Sequence, residues 1–187
     1  MSNFQFSIFN FQKGLPRAQS RGFSLVETLV AVGILVVAVV GALTAAQSGI
    51  SSSIFSKNQV IAIYLAQEGV EVIRNIRDEN ALNDRSWLVG ISDNSSDPCY
   101  FGNTCYVDAL QNTLTRCSGG GSCPNLKQDS DTGFYGYNLL WSETGFRREI
   151  ILTFINQNEI SILVTVDWSK GSIDRQFRVR ENILNWQ

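Results

Sequence analysis

A single carboxylate lies within a long apolar stretch of the chain. Residues 23–46 read FSLVETLVAVGILVVAVVGALTAA, and Glu27 is the only ionisable side chain among them. A carboxylate at the centre of a hydrocarbon layer costs about 2.5 kcal/mol or more unless it finds a partner. The chemistry that Glu27 offers is therefore an ion pair with a cationic group that reaches it in apolar surroundings.

The boundary between Gly22 and Phe23 is a place where cleavage would create that cation. Residues 1–22 contain three basic residues and no acid, and a cut after Gly22 would remove them and expose a new amine on Phe23. Pairing of this amine with Glu27 of a neighbouring subunit would offset the burial of both charges. It would also define the axial register of one helix against the next.

The apolar stretch is long enough to cross a membrane. Its 24 residues would extend ~36 Å as a helix, against a hydrocarbon core of ~30 Å. The apolar region of a secretory signal peptide is shorter, about 7–15 residues. The basic segment before the stretch predicts a cytoplasmic N-terminus, with the rest of the chain on the other side of the membrane. A single membrane span is therefore expected.

The segment GFSLVETLVAVGIL, from Gly22 to Leu35, resembles the N-terminal signature of type IV pilins and pseudopilins, the class III signal peptide. The resemblance covers roughly the first 60 residues. It implies that a prepilin peptidase cuts after Gly22 and N-methylates Phe23, and it places Glu27 at the fifth mature position. Many members have a helix-kinking proline where this chain has Thr44, so any bend would have to use Gly41 and Gly49.

The resemblance also implies the partners of such a subunit. These are other pilin subunits, an inner-membrane assembly platform with a cytoplasmic ATPase, and membrane lipid before assembly. After assembly the subunit would be part of an extracellular filament. The opening VETLVAVGIL and the segment VTVDW are similar to minor pilins grouped as type IV pilus modification proteins. A major pilin and a type II secretion pseudopilin remain open alternatives.

The composition argues against an enzyme. The chain has no histidine, which removes the commonest general base and metal ligand. It contains no glycine-rich phosphate loop and no GxSxG sequence. The net charge of −2 gives no indication of nucleic-acid binding. We expect no catalytic residues and no cofactor.

Four cysteines form two CX5C units, Cys99 with Cys105 and Cys117 with Cys123. Outside the cytoplasm, four cysteines predict two disulfides, for which three pairings are possible. The pairing within each unit is favoured because Gly102-Asn103 and Gly119–Gly121 are turn sequences that would close short loops. The nested pairing remains open, and zinc binding is a further alternative, although zinc sites usually have shorter spacings.

The segment DSDTG provides a candidate calcium site at Asp129 and Asp131. It lacks the remaining ligand positions of a calcium loop, including the distal glutamate. A solvated turn is the simpler interpretation, and no metal is otherwise expected.

The remainder predicts an α+β head. Residues 58–80 show helical spacing, with a stripe that includes Leu65 and Val72, widened by Tyr64, while Arg77 lies away from it. After residue 136 the period becomes two, and Phe146, Phe154 and other apolar residues share one face of an antiparallel meander. The expected fold is a long N-terminal helix that packs on this sheet.

Five segments follow from these patterns: a leader at 1–22, a transmembrane or filament-core helix at 23–47, an amphipathic helix half at 48–80, a disulfide-stapled loop at 81–135 and the sheet at 136–187. Residues 135–141 are expected to add a fourth strand, and the tail ILNW is expected to lie under the sheet edge. The principal alternative function is a single-span anchored binding module outside the cytoplasm that presents the 81–135 loop. An anchored enzyme is a third alternative.

Overall fold

The computed structural model describes residues 22–118, 123–171 and 173–185. The chain forms two compact units, of which the first ends at Gly49 and the second begins at Ile50. Within the described residues, one helix, α1 (Leu25–Leu82), precedes seven strands. The strands are β1 (Thr104–Asp108), β2 (Thr113–Arg116), β3 (Asn125–Gln128), β4 (Tyr135–Gly136), β5 (Ser142–Asn156), β6 (Glu159–Lys170) and β7 (Ile173–Leu184). The predicted α+β class, a long N-terminal helix followed by an antiparallel sheet, is confirmed.

Strand β5 is the centre of the sheet. One of its edges pairs with β6 from Phe146 to Asn156, and β6 pairs in turn with β7 along its whole length. The other edge is shared, because β1 pairs at Ile150 and Ile151 while β3 pairs between Ser142 and Arg147. The short strands β2 and β4 extend β1 and β3. The long meander follows from the alternation of apolar and polar residues that makes one face of each strand apolar.

The apolar face of the meander forms one core with the part of α1 that belongs to the second unit. Leu65 and Ile73 of the helix and Ile150 and Val164 of the sheet are all buried in it. A Cβ added at Gly69 would lie 3.2 Å from Arg148 Cδ and 3.3 Å from Val164 Cγ1. Glycine therefore lets the helix backbone approach the sheet closely, in a helix interior where it otherwise costs about 1 kcal/mol.

An arginine, Arg148, is completely buried in this core. Its Nη1 donates to the carbonyl oxygen of Leu65 at 2.9 Å and to Glu68 Oε2 at 2.6 Å, and its Nη2 donates to the carbonyl oxygen of Val107 at 2.7 Å. A buried guanidinium is tolerated only when it is paired and hydrogen-bonded. Arg148 therefore connects the helix, β1 and β5 through charge-assisted hydrogen bonds.

The segment predicted as a disulfide-stapled loop, residues 81–135, contains three of the strands of the same sheet. Trp87 and Ile91, before β1, are buried in the common core. The strands escape a search for alternation because they are four or five residues long and, in β2, Leu114 is the only apolar residue. The fourth strand predicted over residues 135–141 is reduced to Tyr135 and Gly136.

The disulfides join Cys99 to Cys105 and Cys117 to Cys123, with Cα–Cα distances of 5.2 and 4.7 Å. The first ties the segment that precedes β1 to β1 itself, and the second ties the end of β2 to the start of β3. Both pairs lie in the protein interior. The glycine turn at 119–121 lies outside the described residues.

Several side-chain positions differ from the predictions. Tyr64 is 66% exposed and does not widen the apolar stripe. Phe154 is 53% exposed, and its ring centroid lies 5.5 Å from that of Phe101. Arg77 is buried, and its Nη1 donates to the carbonyl oxygen of Leu184 at 3.0 Å. The tail up to Leu184 is the last part of β7 and does not lie under the sheet edge, and Trp186 lies outside the described residues.

The buried role of Arg148 predicts a large difference between two neighbouring arginines. Arg148→Met should lower the free energy of unfolding by about 2–3 kcal/mol, because it removes the charged donor of two buried carbonyl oxygens and leaves the partly exposed Glu68 without its partner. Arg147→Met is the matched control. Arg147 contacts Glu149 and Asp167 at the surface, so the loss there should stay below about 1 kcal/mol. Urea unfolding in a fixed detergent measures both, and equal losses would contradict the buried role.

The disulfide pairing predicts a simple peptide map. Trypsin cuts after Arg85, Arg116 and Lys127, so pairing within each CX5C unit keeps both cysteines of a pair in one peptide. Nonreduced digests of exported protein should therefore contain two unlinked peptides, 86–116 and 117–127, and no alkylated thiol. A joined mass would show nested or crossed pairing instead.

Replacing either pair by serine should cost about 2–3 kcal/mol of stability in the chain-entropy account.

Candidate functional site: the start of the long helix

Helix α1 begins with a side-chain cap at Ser24. The backbone N–H of Glu27 donates to Ser24 Oγ at 3.2 Å, and the N–H of Thr28 donates to the carbonyl oxygen of Ser24 at 3.2 Å. Ser-x-x-Glu is the sequence of a capping box, in which Ser is the N-cap residue and Glu the third helical residue. This local role of Ser24 was not predicted above, although the S-x-x-E spacing signals it.

Glu27 thus occupies the first turn of α1, where a carboxylate interacts favourably with the positive end of the helix dipole. It is exposed in the isolated chain, so its carboxylate is open to a group from another molecule. The helix terminus and a partner cation are two separate sources of stabilisation, and they can act on the same carboxylate.

Gly22 and Phe23, the two residues of the predicted cleavage point, precede the helix and have no regular secondary structure. A Cβ at Gly22 would have no neighbour within 4 Å, and Phe23 is 77% exposed. The peptide bond between them is therefore in accessible, non-helical backbone. The leader residues 1–21 lie outside the described residues.

The apolar part of α1 is exposed over its whole length in the first unit, residues 22–49. Side chains such as Leu29, Ile34 and Val37 are between 65% and 73% exposed. By length and composition α1 is able to cross a membrane, with a mean hydropathy of 2.7 over its most apolar window, none of which is buried. This surface requires an apolar environment supplied from outside the chain, and a single-pass membrane anchor fits it.

Thr44, where the resemblance to pilins would place a helix-kinking proline, lies in an unbroken part of this helix. Thr44 Oγ1 donates to the carbonyl oxygen of Val40 at 2.9 Å, and α1 continues through Gly41 and Gly49. Each glycine lowers the helix propensity by about 1 kcal/mol relative to alanine. The two glycines are the weak points of the helix in this region.

The candidate calcium residues form a closed turn. Asp129 Oδ2 accepts from the hydroxyl of Thr132 at 2.6 Å, and Oδ1 accepts from the N–H of Asp131 at 3.3 Å. The Thr132 hydroxyl, followed by the Asp131 N–H, lowers the pKa of Asp129. No group of three or more candidate metal ligands is found in the described part of the chain. These contacts explain the DSDTG pattern as a hydrogen-bonded turn.

The helix start belongs to the first unit, and the other predicted site residues belong to the second. The four cysteines lie around β1, β2 and β3 in the second unit. All four sulfurs are used in disulfides, so none is a thiolate available to a zinc ion. The cysteines therefore act on the architecture of the head, whereas Gly22, Phe23 and Glu27 share one short segment.

Comparison with known proteins identifies this segment. Residues 17–43 match the model of the prokaryotic N-terminal methylation motif. No curated protein and no solved structure matches the chain. The matched residues include Gly22, Phe23 and Glu27 and most of the apolar stretch. The chain therefore carries, at residues 17–43, the N-terminal methylation motif of the type IV pilins, which is a class III signal motif.

Proposed function

We propose that this protein is a structural subunit of a type IV pilus-like filament. A prepilin peptidase removes residues 1–22 and methylates the amine of Phe23, and the subunit then assembles through α1. Within this class we favour a minor pilin similar to the type IV pilus modification proteins, before a major pilin or a type II secretion pseudopilin. The observation that carries the proposal is the apolar stretch that starts within the methylation motif and is exposed at every residue.

The apolar part of α1 has two suitable environments, the membrane before assembly and a bundle of identical or related helices afterwards. Lipid tails and helix side chains are similarly apolar, so the transfer between them has a small net cost and packing decides the outcome. The sequence has no glycine-rich phosphate loop, and the work of extraction is assigned to an assembly platform with a cytoplasmic ATPase. The second unit then lies outside the cytoplasm, first at the membrane and later on an extracellular filament.

In this proposal Glu27 has a role that the helix cap alone does not give it. At the membrane the carboxylate lies one turn from the helix start, where water still reaches it. In a filament core it is dry, and an unpaired charge there is strongly destabilising. The methylated amine of Phe23 on the neighbouring subunit supplies the opposite charge, and the pair aligns the two helices.

A single-span anchored binding module is the alternative. It uses the same apolar helix but does not require cleavage at Gly22. The mass of the mature N-terminus distinguishes the two, because a filament subunit begins at N-methyl-Phe23 whereas an uncut anchor retains Met1.

Substitution at Gly22 tests the processing step. Gly22→Val should leave full-length protein in the membrane, because the peptidase must accommodate a residue without a side chain next to the cut. Gly33→Val is the control, since a Cβ at Gly33 also meets nothing within 4 Å but lies away from the cut. The intact mass of membrane-extracted protein measures the result. Normal maturation of Gly22→Val would contradict the proposal.

Substitution at Glu27 tests the register role separately from the cap. Glu27→Gln keeps the capping-box residue type but removes the charge, whereas Glu27→Val removes both. Cleavage and membrane insertion should stay normal in the two variants, and incorporation into sheared filaments should fall about tenfold or more, which corresponds to about 1.4 kcal/mol.

Glu71→Gln is the matched control for charge removal, because Glu71 is an exposed acid of the same helix in the second unit. Quantitative mass spectrometry of filament and membrane fractions gives the ratio for each variant. If Glu27→Gln enters filaments as efficiently as the unmodified chain while Glu27→Val does not, the cap explains Glu27 and the register role is wrong.

A further inference from the structure

A polar cleft lies in the second unit where β1 and β2 face the segment between β4 and β5. Its volume is about 460 Å³. Small-molecule sites in proteins usually have volumes of about 300–1,000 Å³, so the cleft is large enough for one or two sugar rings. The residues that carry the following argument are Tyr106, Asp108, Gln111, Thr113, Tyr137 and Asn138.

Two of the polar side chains are held in place by local turns. Oδ1 of Asp108 accepts from the N–H of Leu110 at 3.1 Å, and Oδ1 of Asn138 accepts from the N–H of Leu140 at 3.0 Å. Each contact uses one of the two polar atoms of its side chain. Oδ2 of Asp108 remains as an acceptor and Nδ2 of Asn138 as a donor, both on side chains that are already oriented.

Two tyrosines form an aromatic wall of the cleft. The rings of Tyr106 and Tyr137 have centroids 4.5 Å apart and are tilted by 49°. The hydroxyl of Tyr137 is buried, and burial raises the pKa of Tyr137 to about 12, with the positive charge of Arg148 opposing the shift. Tyr137 is thus a neutral phenol whose polar end is turned away from solvent. Its ring adds apolar surface to a cleft that is otherwise rich in hydrogen-bonding groups.

The charge of the lining limits the ligand class. Among the described residues that line the cleft, none is Lys or Arg, and Asp108 is the only charged one. An anionic ligand would be repelled by Asp108. Lys127 is the cation shown beside the lining, and its Nζ already donates to the carbonyl oxygen of Leu139 at 3.2 Å. Carboxylate, amide and hydroxyl groups match a ligand with several neutral hydroxyls, and the tyrosine rings match a ligand with an apolar C–H face.

We propose that this cleft binds a neutral sugar unit of a glycan. The sugar places its C–H face against the wall of Tyr106 and Tyr137, and its hydroxyls exchange hydrogen bonds with Asp108, Asn138 and Gln111. Thr113, which lies opposite Asp108 in the β1–β2 ladder, adds a hydroxyl at the same level. The proposal concerns the second unit alone and goes beyond the role as a filament subunit.

The experiment uses the full-length protein in an amine-oxide detergent, because alkyl-glycoside detergents would themselves occupy a sugar site. A glycan array with neutral and sialylated members provides the first readout. Saturation-transfer NMR with the methyl glycosides of glucose, galactose, mannose and N-acetylglucosamine provides the second. We expect binding to neutral members, and weaker or no binding to their sialylated counterparts.

Three variants connect binding to the cleft. Tyr106→Ala removes part of the aromatic wall, Asp108→Asn keeps the Oδ1 acceptor for Leu110 but removes the charge, and Gln111→Ala changes an exposed turn. Tyr106→Ala and Asp108→Asn should each weaken binding at least about tenfold, or about 1.4 kcal/mol, and Gln111→Ala should weaken it less. Tyr64→Ala is the matched control because Tyr64 is exposed on α1 and does not line this cleft.

Closed disulfides and an unchanged thermal midpoint establish that each variant is folded. If Tyr106→Ala does not fold, Asp108→Asn still tests the cleft. Absence of binding to every neutral probe would overturn the proposal. Preference for sialylated members, or binding that Tyr106→Ala and Asp108→Asn leave unchanged, would also overturn it. These binding results do not bear on processing at Gly22 or on filament incorporation. Failure of the sugar-binding proposal is therefore distinct from failure of the proposed function.

Discussion

Arg148 places a positive charge inside the apolar core, and the head is organised around its hydrogen bonds. The guanidinium reaches Leu65 and Glu68 on α1 and Val107 on β1 from its own position on β5. Gly69, one turn along α1 from Leu65, leaves the room that the arginine stem occupies. Each of these hydrogen bonds is directional. Together they restrict the position of α1 and β1 on the central strand β5 more than apolar packing alone would.

Two surfaces with opposite requirements are combined in α1. In the first unit its side chains are apolar all round and exposed, so they need lipid or other helices. In the second unit Leu65, Val70 and Ile73 are buried against the sheet, while Glu71 is exposed. Arg74 is half-buried and pairs with Glu181 of β7. The head can therefore complete its core without using the apolar surface that the methylation motif introduces. That surface stays available for anchoring and for assembly.

The short strands β1–β4 are stabilised by more than the hydrogen bonds between neighbouring strands. They contain between two and five residues each, and β1 pairs with β5 at only two positions. The two disulfides close loops directly beside these strands, and β1 also receives the hydrogen bond from Arg148 at Val107. These covalent and polar connections hold short strands that contribute only a few residues, such as Val107 and Leu126, to the apolar core. The cleft with Tyr106 and Tyr137 is built from this region.

Local patterns in the sequence were enough to determine the membrane-length helix, its methylation motif, the amphipathic continuation and the three long strands, because each depends on residue spacing within one segment. The α+β class followed from the need to cover the apolar face of those strands. Tertiary structure alone decided that Arg148 is buried, because its position among alternating apolar residues does not reveal which acceptors surround it. It also decided that β1 and β3 share one edge of β5, and that Tyr106 and Tyr137, 31 positions apart in the printed sequence, line one cleft. Contacts between distant segments set these features, and no short window of sequence contains them.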